Sequence, residues 1–215
     1  MGRQLEELCR KNSEETELFS YAGWIFFMRR EYAKAHSCLE KVYLTLDSQR
    51  ANDWRRLAVV EGIQDPRSSR QWRFFEKALE LDPSSYDTFF LRGIVFLGEG
   101  EYQKALDDFN RGIAIQDNFE IRGLRGLAYC GTGQISRAIT DLEQYLSMSP
   151  TMPQPFLFKC LAVCYPQDEQ YSQALAILKK AEILFLEDTD FSLMCLPFIC
   201  LAKILRNAKK RLKDA

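Results

Sequence analysis

The feature that most constrains this chain is a stretch that repeats itself. Arg92-Gly93 returns 33 residues later as Arg125-Gly126. In both copies an aromatic stands three places after that glycine (Phe96, Tyr129), a second glycine seven places after it (Gly100, Gly133), and an alanine five places further on (Ala105, Ala138). A large apolar residue follows, Phe109 or Leu142. Glycine inside a helix costs about 1 kcal/mol relative to alanine. A cost that recurs in register points to one cause: a second helix brings Phe109 or Leu142 against the bare backbone. Gly100 and Gly133 fall where one helix ends, at a left-handed backbone that favours glycine. Each unit is thus two helices and a tight turn. No such unit buries its apolar face alone, so neighbours must stack.

These residues resemble the tetratricopeptide repeat, a helix-turn-helix unit of about 34 residues. The resemblance extends over five units, at about 14–48, 51–85, 86–118, 119–152 and 155–188. In the first, Ala22-Gly23, Phe26 and Phe27 match helix A, and Tyr32-Ala33-Lys34-Ala35 with Leu39 matches helix B. In the fifth, Ala162 and Tyr165 are followed by Tyr171, Ala174, Leu178 and Ala181. The second unit is the irregular one. Trp54, Leu57 and Ala58 suit helix A, and Phe75, Ala78 and Leu79 suit helix B, yet Gln71 stands where alanine is expected. A proline turn at 64–69 replaces the glycine there, and 166–169 reads as another turn without glycine. Residues 3–13 form a short amphipathic lead-in. Residues 190–215 read as a capping helix, apolar from Phe191 to Ala202, with a basic tail in water. The fold implied is all-α: a right-handed superhelical solenoid of about five repeats plus that C-terminal cap.

Composition narrows the function. Twenty-nine basic residues face thirty acidic ones, for a formal net charge of −1. Such a balance supplies no drive toward nucleic acid or an anionic membrane. The apolar run after residue 190 is shorter than the roughly 20 residues a span requires. The chain has seven cysteines and no C-x-x-C pair, which fits a reducing, cytoplasmic compartment with thiols acting as small hydrophobes. His36 is the only histidine, a poor start for a metal site. Cys160 and Cys164 read as two core thiols. Asp107, Asp108 and Asp141 read as solvated faces of B helices. No constellation for acid-base or nucleophilic chemistry is visible. The expectation is a chain that is not an enzyme and needs no cofactor, metal or small-molecule substrate.

The resemblance implies that helix A of each unit lines a concave face. Carried onto this sequence, the family's contact places are Asp87, Phe90, Leu91, Ile94 and Gly98 in unit three. In unit four they are Glu120, Gly123, Leu124, Leu127 and Gly131, and in unit five Phe156, Lys159, Cys160, Val163 and Gln167. Tyr21, Trp24 and Arg56 extend the set into units one and two. The carboxylate clamp that holds chaperone tails in some relatives is missing, since its places carry Ser20, Trp24, Phe90 and Leu91. An apolar groove instead suits an extended or helical protein segment with hydrophobic anchors. The implied activity is protein binding, as scaffold, adaptor, assembly factor or segment-holding chaperone. The equally weighted alternative for Leu91, Leu124 and Leu127 is repeat-to-repeat packing. RNA binding by a helical repeat is the other functional class, with Arg92, Arg122, Arg125 and Arg137 scattered among acids. A targeting or regulatory subunit of an enzyme complex is the third.

Overall fold

The structure is a computed structural model, and it describes Glu7 and residues 16–44, 50–66, 68–148, 155–167 and 169–184. Ten helices are present among the described residues, with no strand. They are α1 (Thr16–Met28), α2 (Tyr32–Leu44), α3 (Ala51–Gln64), α4 (Arg70–Leu81), α5 (Tyr86–Gly98), α6 (Tyr102–Ile115), α7 (Phe119–Gly131), α8 (Ile135–Ser147), α9 (Pro155–Gln167) and α10 (Tyr171–Leu184). The capping helix expected at 190–215 lies outside the described residues, as does the lead-in apart from Glu7. The chain divides into two compact units, residues 1–91 and 92–215, with the boundary inside α5.

The connections explain why helices alternate so regularly. Gly100 and Gly133 have φ of +78° and +73°. Each turn is closed twice. Gly100 N–H donates to Leu97 O and Glu101 N–H to Phe96 O, and Gly133 and Gln134 donate to Cys130 O and Tyr129 O in the same way. This double closure satisfies carbonyls that the helix end leaves open. The same geometry recurs without glycine. Arg30 (φ 60°) and Glu169 (φ 58°) hold the left-handed place after α1 and α9. The next residues, Glu31 and Gln170, donate to Phe26 O and Tyr165 O. In all four turns the long-range acceptor is the repeat's aromatic residue. α9 runs through Pro166 to Gln167 rather than stopping at the proline. Pro166 has no N–H to donate to Ala162 O, so the last turn of α9 is one hydrogen bond short.

The B helices are amphipathic in the usual sense. α8 buries Ala138, Ile139, Leu142 and Tyr145 on one face and turns its polar side outward. The second unit has a core of these residues with Leu157, Phe158, Leu161, Ala162, Cys164 and Tyr165 of α9 and Ala174, Leu175, Leu178 and Ala181 of α10. In the first unit, α1 and α2 bury Phe19, Ala22, Phe26, Ala35, Leu39 and Val42. Tyr43, Trp54 and Phe74 form an edge-on aromatic cluster, with ring centroids 5.3 Å apart for Tyr43 to each of the others.

The glycine argument holds at atomic detail. A Cβ built on Gly93 would lie 2.6 Å from Phe109 Cε1, and one on Gly126 would lie 2.8 Å from Leu142 Cγ. Gly23 meets Leu39 Cγ at 2.6 Å. In the second helix pair the roles are redistributed: Gly62 faces the side-chain oxygen of Gln71, the residue standing in the alanine place.

Candidate functional site

The family contact places sit on the A helices α1, α3, α5, α7 and α9. In the first unit, Trp24 is 37% exposed and Tyr21 60% exposed. The Arg56 guanidinium lies over the Trp24 ring at 4.5 Å. Beneath them Asp53 is buried and accepts hydrogen bonds from Ser20 Oγ and from Arg50 Nε, the latter at 3.1 Å. Burial pulls the Arg56 guanidinium below its usual value, opposed by the Asp53 charge. Its Nε meets no acceptor among the described residues. Asp87 is exposed and pairs with Arg55 at 3.1 Å, and Arg55 also donates to Ser85. Ser85 in turn caps α5 by accepting from Thr88 N–H. Phe90 stacks on Tyr86, and both Phe90 and Leu91 are half-buried.

In the second unit Ile94, Leu124, Lys159 and Val163 are half-buried, while Glu120 is exposed. Phe156 is 44% exposed. Leu127 and Cys160 pack against the core cluster of that unit. Gly123 is close to Tyr145 and Leu157, and Gly131 receives the Tyr102 ring. The contact places therefore divide. Tyr21, Trp24, Glu120 and Phe156 present their side chains to solvent, and Leu127 and Cys160 take part in packing.

Two carboxylates read as solvated are in fact buried. Asp108 and Asp141 are 2% and 3% exposed. Arg92 forks onto Asp108 through two hydrogen bonds of 2.7 Å, and Arg125 forks onto Asp141 at 2.6 and 2.8 Å. A two-pronged pair between fixed helices is among the stronger charge-assisted arrangements. Arg122 extends the second pair to Asp117, Gln144 and Asp141. The Asp117 and Asp141 carboxylates hold the Arg122 and Arg125 guanidinium groups above their usual range, working against burial. Sequence reasoning missed these pairs, although Arg-Gly and its Asp recur together in both units. The equivalent polar centre of the second helix pair is Glu61. It accepts from His36 Nε2 at 2.7 Å and from Ser68 Oγ at 2.6 Å, with Arg70 at 3.7 Å. Burial pushes the Glu61 carboxyl up, but Ser68, His36 and Arg70 together hold it below its ordinary range.

Among the described residues no three metal-ligating side chains cluster, and no helix is long and apolar enough to cross a membrane. What the geometry defines is a class: an all-α protein of consecutive helix hairpins with small residues at every crossing. The family profile of the tetratricopeptide repeat matches residues 74–107. By sequence, the tetratricopeptide repeat family is thus matched over one repeat length of the chain. Its fold matches solved structures of such proteins. YrrB, titled a TPR protein with an unusual peptide-binding site, aligns over 92% of this chain and 100% of its own with a TM-score of 0.70 and 20% identity. The structure titled MamA 41-end from Desulfovibrio magneticus RS-1 covers 82% of this chain and 98% of its own, with a TM-score of 0.71 and 17% identity. A MamA D159K mutant covers 80% and 99%, with a TM-score of 0.67 and 20% identity. No curated protein matches the chain by sequence.

Proposed function

We propose that the chain is a non-enzymatic protein-interaction module whose A-helix surfaces hold a partner segment by apolar anchors, as an adaptor, assembly factor or segment-binding chaperone. The observation that carries this reading is the exposure of Trp24 and Phe156 at family contact places. Each lies on an A helix that also buries aromatics in the core, Phe19 and Phe26 on α1 and Phe158 on α9. Fully burying a side chain of this size contributes about 1.5–3 kcal/mol, so an aromatic left in water at a contact place is a ready anchor. Arg56 adds a donor beside Trp24, suited to a backbone carbonyl or carboxylate of the segment. That YrrB is titled for peptide binding supports the same class of ligand here.

Arg92, Arg122 and Arg125 favour this reading over RNA binding, because each is engaged by a carboxylate of the same unit. A protein compartment of reducing character accords with the thiols of α7 and α9. The test is site-specific photocrosslinking in native lysate. A photoreactive residue in place of Trp24 or Phe156 should capture one defined partner, and one at Lys77, exposed on helix B α4, should not. Trp24→Asp or Phe156→Asp should each weaken capture by about tenfold to a hundredfold with helicity unchanged. Capture from position 77 with none from 24 or 156 would move the site off the A helices.

A further inference from the structure

Cys130 on α7 and Cys164 on α9 lie one repeat length apart in sequence, and the structure brings their sulfurs to 3.1 Å. Each sits on the A helix of its hairpin, so the repeat itself makes them neighbours. Cys164 is 1% exposed, and Cys130 is half-buried. Cys160, one helical turn before Cys164, is a third thiol on the same face. No described acid or histidine joins them in a metal-binding cluster. A disulfide needs its sulfurs at about 2.05 Å, so closing this pair asks for a movement of about 1 Å, within reach of side-chain rotation.

We propose that Cys130 and Cys164 are an oxidation site that closes to an intramolecular disulfide in the presence of a peroxide, tying α7 to α9. The chemistry balances in two steps. The Cys164 sulfur, the one held toward its thiolate, attacks hydrogen peroxide that reaches it beside the half-buried Cys130, is oxidised to a sulfenic acid, and releases one water once its thiol proton is transferred. The Cys130 sulfur then attacks that sulfenic sulfur, the S–O bond breaks, and hydroxide leaves as a second water with the Cys130 proton. Two thiols lose two electrons and the peroxide is reduced by two. The pair is poised for this because its sulfurs share a proton. The hydrogen bond between the two sulfurs lowers the Cys164 thiol and raises that of Cys130. Cys160 lacks that hydrogen bond, and burial pushes its thiol up to about 11. Thiolate character decides susceptibility, which favours the pair over Cys160.

The test treats the full chain with stoichiometric hydrogen peroxide, blocks remaining thiols by alkylation, and maps the peptides. A peptide pair joined through Cys130 and Cys164, lighter by two hydrogens and separated by a phosphine reductant, is the expected product. Oxidised protein should melt roughly 5–10 °C higher than reduced protein. Cys160→Ser should leave both results intact, and Cys130→Ser should abolish the rise. Should that serine variant fold poorly, the wild-type peptide map decides alone. Alkylation of both thiols at full peroxide dose, or a link joining Cys130 to Cys160, would overturn the proposal.

Discussion

The hairpins α5–α6 and α7–α8 solve their crossings in one way, and α3–α4 solves it in another. In the first two, helix A contributes a glycine and helix B a large residue, Phe109 or Leu142. Beside that contact an arginine of helix A forks onto a buried aspartate of helix B. In α3–α4 the glycine faces Gln71, and the buried charge on helix A is an acid, Glu61, satisfied by His36 of α2, Ser68 of the turn and Arg70 of α4. The buried carboxylate has moved from helix B to helix A, and its partners come from three segments rather than one. A hairpin interface thus constrains volume and charge balance, not the identity of residues. The departures from the family pattern in α3–α4 come as a set, with the changed size and the moved charge each met by a neighbour.

The largest test of that comparison removes the hub of the regular interface. Asp141→Ala leaves both Arg125 and Arg122 short of a carboxylate and should cost about 3 kcal/mol in urea unfolding. Asp108→Ala, which strands Arg92 alone, should cost less. Equal losses would show that Arg122 draws nothing from Asp141. Next comes overpacking. Gly126→Leu should cost about 1–3 kcal/mol, because Leu142 occupies the space that any Cβ would enter. An unchanged midpoint would refute the close crossing.

Glu61→Gln probes the irregular interface and should cost about 1–2 kcal/mol at neutral pH. Its pH dependence has a definite sign. The folded carboxyl titrates below its ordinary value near 4.5, so its stabilisation is complete above that value and is lost as pH falls through the lower folded one. The acid limb of a stability-pH curve should therefore flatten in the glutamine variant. A parallel shift of the whole curve would contradict the Glu61 assignment. The smallest effect distinguishes the turns. Arg30→Gly and Glu169→Gly relieve a left-handed backbone that costs non-glycine residues roughly 1–2 kcal/mol. Part of this is returned as unfolded-chain entropy. A gain of about 0.5–1 kcal/mol is expected at each, visible as a higher melting temperature.

Much of the fold was legible because its signals are local and repeated. Gly93 and Gly126 occupy positions that make no sense for an isolated helix, and Gly100 and Gly133 mark turns by their own backbone preference. The turns at Arg30 and Glu169 were not legible as left-handed. A charged residue carries no such preference, and only the register with Gly100 reveals it. Asp108 and Asp141 were misread because a carboxylate on a helix looks solvated until its partner, 16 residues away, is known to face it. The candidate site was legible only as a face. Helix periodicity puts Leu127 and Phe156 on comparable surfaces, yet packing by the neighbouring hairpin covers the first and leaves the second in water.

The division at residue 91 has a practical consequence in the distribution of indole rings. Trp24, Trp54 and Trp72 all precede it. Selective excitation of tryptophan therefore reports on the first compact unit alone, while far-ultraviolet dichroism reports helices throughout. Trp54 lies inside the Tyr43–Phe74 cluster, so its emission shifts toward the red when that cluster opens. A denaturation followed by both signals resolves whether the two units melt in one transition or in two, with no label and no mutation.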